Sequence, residues 1–578
     1  MFPLTAPSRR ATLLWASTTF AAIAFACSSD AIPAPDPFVP TPTLAPFPTA
    51  AGMATPTPEL ETVTATATAI AAPMPEREPP LGVLRTAAPQ PPVHFDPHQE
   101  ASPALITWGP ALVYDRLFRF EPDGPAVGAV LGSGGRVACA LCESWEMVDL
   151  TTYRITLRRD AFWQELPPVN GRRVVASDVV FSLRRQATPG WPNAGLLSNI
   201  ESVAAIDPQT VEIVLKRPDA ELLEILADGH TVIVAPEAVS ESGDLLEGPI
   251  VGSGPWLWKS TSETRSAFGA NIAFYDPVRP GVTTLEIAYI SPGTQFTSLL
   301  TGIIDFAQLG PQEFATATSR NTDLRIVDMP QSGVGLEFAI NTTRSPFDSL
   351  ETRRALLGAL TPWQDLGEIW SDDAFVSVGL PIIDPDWLLP ESELRPIFRD
   401  FASAPPAPLS LSDEITIKVG LFDDRYQEQA RRIADALSRL GATVTIEEVT
   451  TREFGDAVWF GGDYDLFLGS QPPVASLSDY LLAVYHSSGA WNTTGYSTPV
   501  LDGLIEAQAV ESDPVVRRQT VLEIQRQIMM GAHRFAPASR VVRWVYWPYV
   551  ENFRPATQRA DGSFLAAIRV GDRPPGRR

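Results

Sequence analysis

Residues 415–448 read ITIKVGLFDDRYQEQARRIADALSRLGATVTIEE. Positions 415–421 alternate apolar and polar side chains, the period of a strand with one buried face. Residues 427–440 carry the longer repeat of a helix, Gly441 supplies the turn, and residues 443–448 form a second strand. Strand, helix and strand in this order make a βαβ-like unit, which sets the fold class as α/β. A further strand is expected at residues 464–468 and a long helix at residues 515–530.

The same alternation runs upstream. Residues 82–86 read as a strand, followed by a turn through residues 94–98. Residues 105–120 have helical spacing, with Tyr114, Leu117 and Phe118 on one face. Residues 153–157 alternate as a strand, and Ser177-Asp178 is expected to cap a helix over residues 179–185. Residues 204–215 predict a hairpin turning at Pro208-Gln209, with a strand at 285–290 and a helix at 296–301 beyond it.

The chain has 578 residues, 44% of them hydrophobic, and 14 Trp, so a large core is available. One core rarely grows that far, and two or three lobes are expected. A net charge of −24 argues against a nucleic-acid partner, whose phosphates demand a basic face. The lysines are Lys216, Lys259 and Lys418, and the other basic residues are arginines.

Residues 1–26 read as an export signal: Arg9 and Arg10 precede an uncharged apolar run that ends in Ala24-Phe25-Ala26, before Cys27. Two readings of Cys27 stand, a lipid-carrying N-terminal cysteine or a free thiol left by ordinary secretory cleavage. Residues 27–80 are rich in Pro, Thr and Ala and nearly free of aromatics, a tether that cannot bury enough apolar surface to order itself. Extended, it would reach about 150 Å. No second apolar stretch reaches spanning length, so the remainder is expected to be soluble. Cys139 and Cys142 form a lone Cys-x-x-Cys, open to a local disulfide, free thiols, or redox or metal chemistry.

Taken in order, the segments resemble the extracytoplasmic solute-binding proteins of ABC transporters, family 5, the peptide, dipeptide and nickel group. The resemblance rests on Phe95-Asp96-Pro97-His98, on residues 113–124, on Cys142-Glu143-Ser144-Trp145-Glu146 with residues 152–158, and on residues 175–183. Gly252-Ser253-Gly254-Pro255-Trp256, Asn341-Thr342-Thr343 with Pro346-Phe347-Asp348, and Gly495-Tyr496-Ser497-Thr498-Pro499 continue it. It implies a two-lobed periplasmic-binding-protein-like fold of type II, cluster C, with an extra subdomain at about 99–206. Lobe I would cover 81–309 and lobe II 310–538, with a return and C-terminal tail at 539–578 and hinges near Leu309-Gly310 and Pro537-Ala538. It also implies a monomer that binds a small solute, works with a permease and ATPase, is held to the membrane by a lipid, and uses no cofactor.

This chain departs from the family where specificity is set. Peptide-binding members carry an aspartate in a loop resembling GWxADYPDP, which neutralises the α-amine. The matching run here begins Gly469-Ser470-Gln471, and Pro473 and Ser476 fall at the aspartate positions, unless Asp479 is shifted into that role. Thr361-Pro362-Trp363 replaces another family phrase, and Trp363 either packs between helices or faces the cleft. Trp108, Gln471, Trp491 and Tyr496 complete the candidate ligand contacts, each with core packing as its alternative.

Among the histidines, His94 and His98 lie four apart, but Pro97 argues against a helix, and no third metal ligand is evident. A secreted hydrolase is the rival class. Gly-x-Ser-x-Gly, His-Glu-x-x-His, the Walker loop and the dinucleotide fingerprint are absent, so no catalytic residue is assigned. A sensor or adhesion receptor reusing the binding fold is the third reading.

Overall fold

The computed structural model describes residues 78–121, 136–320, 323–371, 373–382, 384–403, 414–472, 476–555 and 561–573. The export signal, Cys27, nearly all of the tether, Pro473 and the last residues lie outside the described residues.

The opening stretch folds as strand Glu414–Gly420, helix Asp424–Arg439 and strand Thr443–Val449, the two strands parallel with Ile417 opposite Ile446. The helix starts ahead of residue 427 because Asp423 caps it, its carboxylate accepting from the Arg425 N–H at 2.9 Å. Tyr426, Ala430, Ile433 and Leu437 form its buried face. Gly441 ends it at φ 106°, a left-handed conformation that side-chain-bearing residues avoid. Leu466–Gly469 adds a parallel strand on the other side, with Ile417 opposite Leu466. Antiparallel strands Arg325–Ile340, Arg534–Tyr546 and Phe306–Leu309 then widen the sheet, and Ala374–Ser377 pairs with Arg534–Tyr546.

Among the described residues, three large apolar clusters sit around this framework. One, including Leu84, Phe268, Leu285, Phe306, Trp544 and Phe564, lies on the four-stranded sheet that contains Val83–Ala88 and Thr284–Tyr289. A second runs from Tyr114 to Tyr275 on the antiparallel sheet of Cys142–Asp149, Thr152–Leu157, Thr210–Leu215 and Ile200–Asp207. It therefore continues well past the subdomain limit expected at residue 206. The third belongs to the second lobe and includes Phe338, Leu356, Ile417, Leu468 and Ile524.

Two long strands pass between the first and third clusters. On Arg325–Ile340, Val327 and Met329 pack against the first, while Leu336, Phe338 and Ile340 lie in the third. On Arg534–Tyr546, Phe535 and Ala538 belong to the third and Val542, Trp544 and Val545 to the first. The register slips between Gln331 and Gly335, where Gly333 and Gly335 have φ of 78° and 123°. A Cβ on Gly335 would stand 2.4 Å from the Ala538 carbonyl oxygen, so this bulge needs glycine. The chain thus changes lobe at residues 331–335, not at Leu309-Gly310: Phe314, Ala317, Leu324 and Met329 still pack with the first cluster.

The helix expected over 105–120 does not form. Pro110–Val113 is a short 3-10 turn, and Phe118–Glu121 is a strand paired with Arg136–Cys139. Gly109 lies so close to the preceding turn that a Cβ would stand 2.2 Å from the Ala104 carbonyl oxygen. The apparent helical spacing has another origin: Leu112 and Val113 enter the first cluster, whereas Tyr114, Leu117, Phe118 and Phe120 enter the second. The helix after Val175 begins at Ala176, and Asp178 serves it from inside the first turn, accepting from the Val175 N–H at 3.0 Å. Cys139 and Cys142 are bridged, their Cα atoms 4.9 Å apart.

Candidate functional site

In open α/β sheets, ligands bind at the carboxyl ends of parallel strands. Here those ends are Gly420, Val449 and Gly469. Two are glycines because aromatic rings lie directly on them: a Cβ on Gly469 would stand 2.1 Å from the Phe454 ring, and one on Gly420 2.3 Å from Phe422. Phe454 is placed by a one-turn helix, Thr451–Phe454, which Thr450 and Glu453 cap reciprocally. Its ring meets Phe422, Trp459 and Phe467 edge to face, with centroids 5.4, 5.8 and 5.6 Å away. The Trp459 Nε1–H donates to the Ser470 carbonyl at 3.2 Å, which ties this aromatic platform to the loop carrying Gln471.

Gln471 reaches from that loop to the crossing strands. A Cβ on Gly333 would stand 2.7 Å from its Oε1, and one on Gly379 3.4 Å from its Nε2. The Nε2 group is buried and makes no hydrogen bond. A buried amide left unpaired is costly, so this NH₂ is suited to accept a partner that enters the site. Ser332, Ser377 and Ser539 hold three strands together beside it, with Oγ–Oγ distances of 2.9 and 2.7 Å, and Ser377 also accepts from the Gly379 N–H. The floor is therefore held by hydrogen bonds, while the Gln471 Nε2 has none.

Charges at the same strand ends are largely compensated. Arg425 grips Asp423 through Nε at 2.9 Å and lies over the Trp370 ring at 4.4 Å. The Arg425 hydrogen bond holds the Asp423 carboxyl below its ordinary range. Arg543 bonds Asp328 at 2.7 Å and Asp373 at 3.0 Å. Burial pushes the Asp373 carboxyl up, against the pull of Arg543, Arg425 and Arg540.

Of the residues singled out from the sequence, Gln471 is the one found on this floor. Trp363 forms a helix–helix contact, edge to face with Phe398 at 5.3 Å and under the Arg395 guanidinium at 4.5 Å. Tyr496 stacks on buried His533 at 4.0 Å. Trp108 is half-buried against the first cluster, 6.3 Å from Trp544 and 6.2 Å from Phe564. Trp491 packs on the third cluster, 6.3 Å from Phe460, whose ring is 69% exposed. Asp479 pairs with Arg217 at 3.6 Å. Sequence reasoning missed Phe422, Phe454 and Trp459. The available signal was a glycine ending each of two strands with aromatics close by in sequence.

One cavity of the first lobe, of about 50 Å³, lies between Tyr114, Asp115, Arg119 and Tyr275. The other, of about 320 Å³, is an open groove along Arg279, Asn552 and Arg569. Among the described residues no group of three His, Cys, Asp or Glu could hold a metal. His98 is buried, its Nε2 3.0 Å from the Val232 carbonyl and its Nδ1 facing Arg185.

Residues 136–361 match the family model for bacterial extracellular solute-binding proteins, family 5 Middle. The glutathione-binding protein GsiB of Salmonella choleraesuis is 30% identical over 214 residues, which span 36% of this chain and 40% of that protein. Di/tripeptide-binding protein 2 of Pseudomonas aeruginosa is 25% identical over 422 residues, 68% of this chain and 75% of the relative. The unliganded open form of the periplasmic murein tripeptide-binding protein MppA superposes with a TM-score of 0.70 at 17% identity, covering 86% of this chain and 98% of that one. Among the described residues no helix is long and apolar enough to cross a membrane.

Proposed function

We propose that this chain, which belongs to family 5 of the bacterial extracellular solute-binding proteins, captures a small solute between its lobes and delivers it to an ABC permease and ATPase. The observation that carries this reading is the floor at the parallel strand ends. The Gln471 Nε2 lies there without a partner, on a loop tied to the aromatic platform through Trp459 and beside the two strands that pass between the lobes. The mechanism is selection by binding. Solute contacts favour the closed form over the open one, and affinity is set by that difference.

Relatives named for glutathione and for di- and tripeptides point to a peptide-like or similarly polar solute. The loop after Gly469 offers a neutral amide, and Asp479 is engaged by Arg217. A cationic α-amine would lie there without a counter-charge, which is costly. The solute group at Gln471 is therefore neutral or an acceptor. We further assign Cys27 as the lipid-bearing residue and the Pro/Thr-rich stretch after it as a tether, with the protein working as a monomer outside the cytoplasm.

Thermal unfolding of the full chain against peptides with free and acetylated N-termini, glutathione, sugars, opines and nickel chelates tests the reading. A ligand of the folded state at a hundred times its Kd adds about 2.7 kcal/mol of stability. A saturable rise with one class is expected, no weaker for an acetylated peptide than for a free one. A panel without any shift would sink the capture reading, and a strict need for the free amine would sink the Gln471 argument.

A further inference from the structure

The first lobe's subdomain touches the second lobe through a short segment that the solute floor does not use. Leu222–Ala227 is a helix whose Leu222, Leu223 and Leu226 are buried in the subdomain cluster. The residues just before it point the other way. The Glu221 Oε2 accepts from the Ser478 backbone N–H at 3.0 Å, and its Oε1 lies 3.3 Å from Arg517 Nη2. The Ala220 N–H donates to the Ala509 carbonyl at 3.0 Å. Farther out, Arg217 and Asp479 pair at 3.6 Å with side chains 57% and 49% exposed.

These contacts differ in kind. The outer pair is screened by water and contributes little. The inner pair is sealed, with side-chain exposures of 0% for Arg517 and 1% for Glu221. Arg517 is itself fixed in the second lobe, donating from Nε to the Gln508 carbonyl at 3.0 Å and from Nη2 to Ser478 Oγ at 3.1 Å. Ser478 stands in the first turn of Leu477–Val484, where backbone N–H groups have no partner within their own helix. A carboxylate of one lobe thus caps a helix and neutralises a buried guanidinium of the other.

We propose that Glu221 is a latch that holds the lobes together independently of solute. The inference rests on the capture reading above, in which the lobes part and close. Parting them would take Glu221 from both Arg517 and the Ser478 N–H, so these contacts favour the arrangement in which the subdomain and the second lobe touch, with or without solute. Solute selectivity at Gln471 and the contact between the lobes at Glu221 are then separate functions of separate residues. Asp219 braces the latch, its carboxylate accepting from the Glu221 N–H at 2.8 Å.

The test is a distance measurement on the full chain without solute. Spin labels are placed at Leu150→Cys in the subdomain and Val500→Cys in the second lobe, positions 59% and 60% exposed, in a Cys27→Ser background. The unsubstituted Glu221 protein is expected to give one short distance by double electron–electron resonance. Glu221→Ala is expected to raise the long-distance population at least tenfold, and Glu221→Gln, which keeps an oxygen for the Ser478 N–H, less. Arg217→Ala should leave the distribution unchanged. A cooperative unfolding transition in each variant separates opening from misfolding. Distances unchanged in both Glu221 variants, or a long distance already dominant with Glu221 in place, would overturn the latch. Neither result would touch solute capture, which the thermal panel tests.

Discussion

Replacing Gly469 by alanine probes the candidate floor most sharply. The added methyl would stand 2.1 Å from Phe454 Cζ and 2.5 and 2.7 Å from the neighbouring ring carbons. Phe454 cannot retreat, because it is fully buried between Phe422, Trp459 and Phe467, and Gly420 leaves only 3.0 Å from its own would-be Cβ to the same ring. Overpacking of this kind costs about 1–3 kcal/mol. Trp459 leans on Phe454 and bonds the Ser470 carbonyl, so the strain reaches the loop carrying Gln471. Urea unfolding followed by tryptophan fluorescence should therefore show a lower midpoint at unchanged slope, and solute affinity should fall in the same variant. Gly503→Ala is the control: its Cβ would meet nothing within 4 Å on the helix Pro499–Val510, and a gain of up to about 1 kcal/mol is expected. Stability within about 0.5 kcal/mol of the parent and intact affinity for Gly469→Ala would refute the reasoning.

Further outcomes follow from buried charge. Burial, with the nearby Arg185 charge, lowers the His98 pKa to about 4, whereas an unfolded histidine titrates near ~6.5. Its contribution to stability is full above pH ~6.5 and is lost as pH falls toward 4, at most about 3 kcal/mol; unfolding at pH 7 and pH 4.5 should show this loss in the parent and less of it in His98→Gln. Asp96 titrates in a separate window: burial alone would raise its pKa, but Arg185 outweighs burial and holds it at about 2, so its contribution survives until pH falls below ~3.9. In the second-lobe core Arg534 donates to Glu337 at 2.6 and 2.8 Å with both side chains sealed, and Glu337→Ala alone should cost about 3–5 kcal/mol by urea unfolding. Glu337→Leu combined with Arg534→Met should recover much of that loss. Trp363→Leu should lower stability through its Phe398 contact and leave solute affinity unchanged.

The fold was legible where one local pattern met one environment. The strand–helix–strand of 414–449 reads correctly because Ile415, Ile417 and Val419 of the first strand and Tyr426, Ala430, Ile433 and Leu437 of the helix meet in one cluster. Residues 105–120 misled because consecutive apolar side chains serve two different clusters, so their spacing reports two burials rather than one helix face. The lobe crossing was placed too early because the first lobe's packing continues through helix Pro311–Arg320 to Met329, and a bulge has no hydrophobic signature. Gln471 was singled out because the run after Gly469 departs from a family phrase, and the fold sets it beside Gly333 and Gly379. Phe422, Phe454 and Trp459 were missed because they meet only through the close approach of rings to two glycines, which depends on strand pairing. Asp479 carries the right chemistry for an amine, and in the fold it pairs with Arg217.

Calorimetric titration of the full chain with the solute class selected by thermal shift, followed by mass analysis of the recovered solute, tests the central claim most directly. The account predicts saturable binding of one solute per chain, a negative heat-capacity change from the buried apolar floor, and recovery of the solute unaltered. Gln471→Ala should weaken that binding, whereas Trp363→Leu should not. Binding that persists undiminished in Gln471→Ala, or a solute recovered chemically changed, would contradict capture at this site.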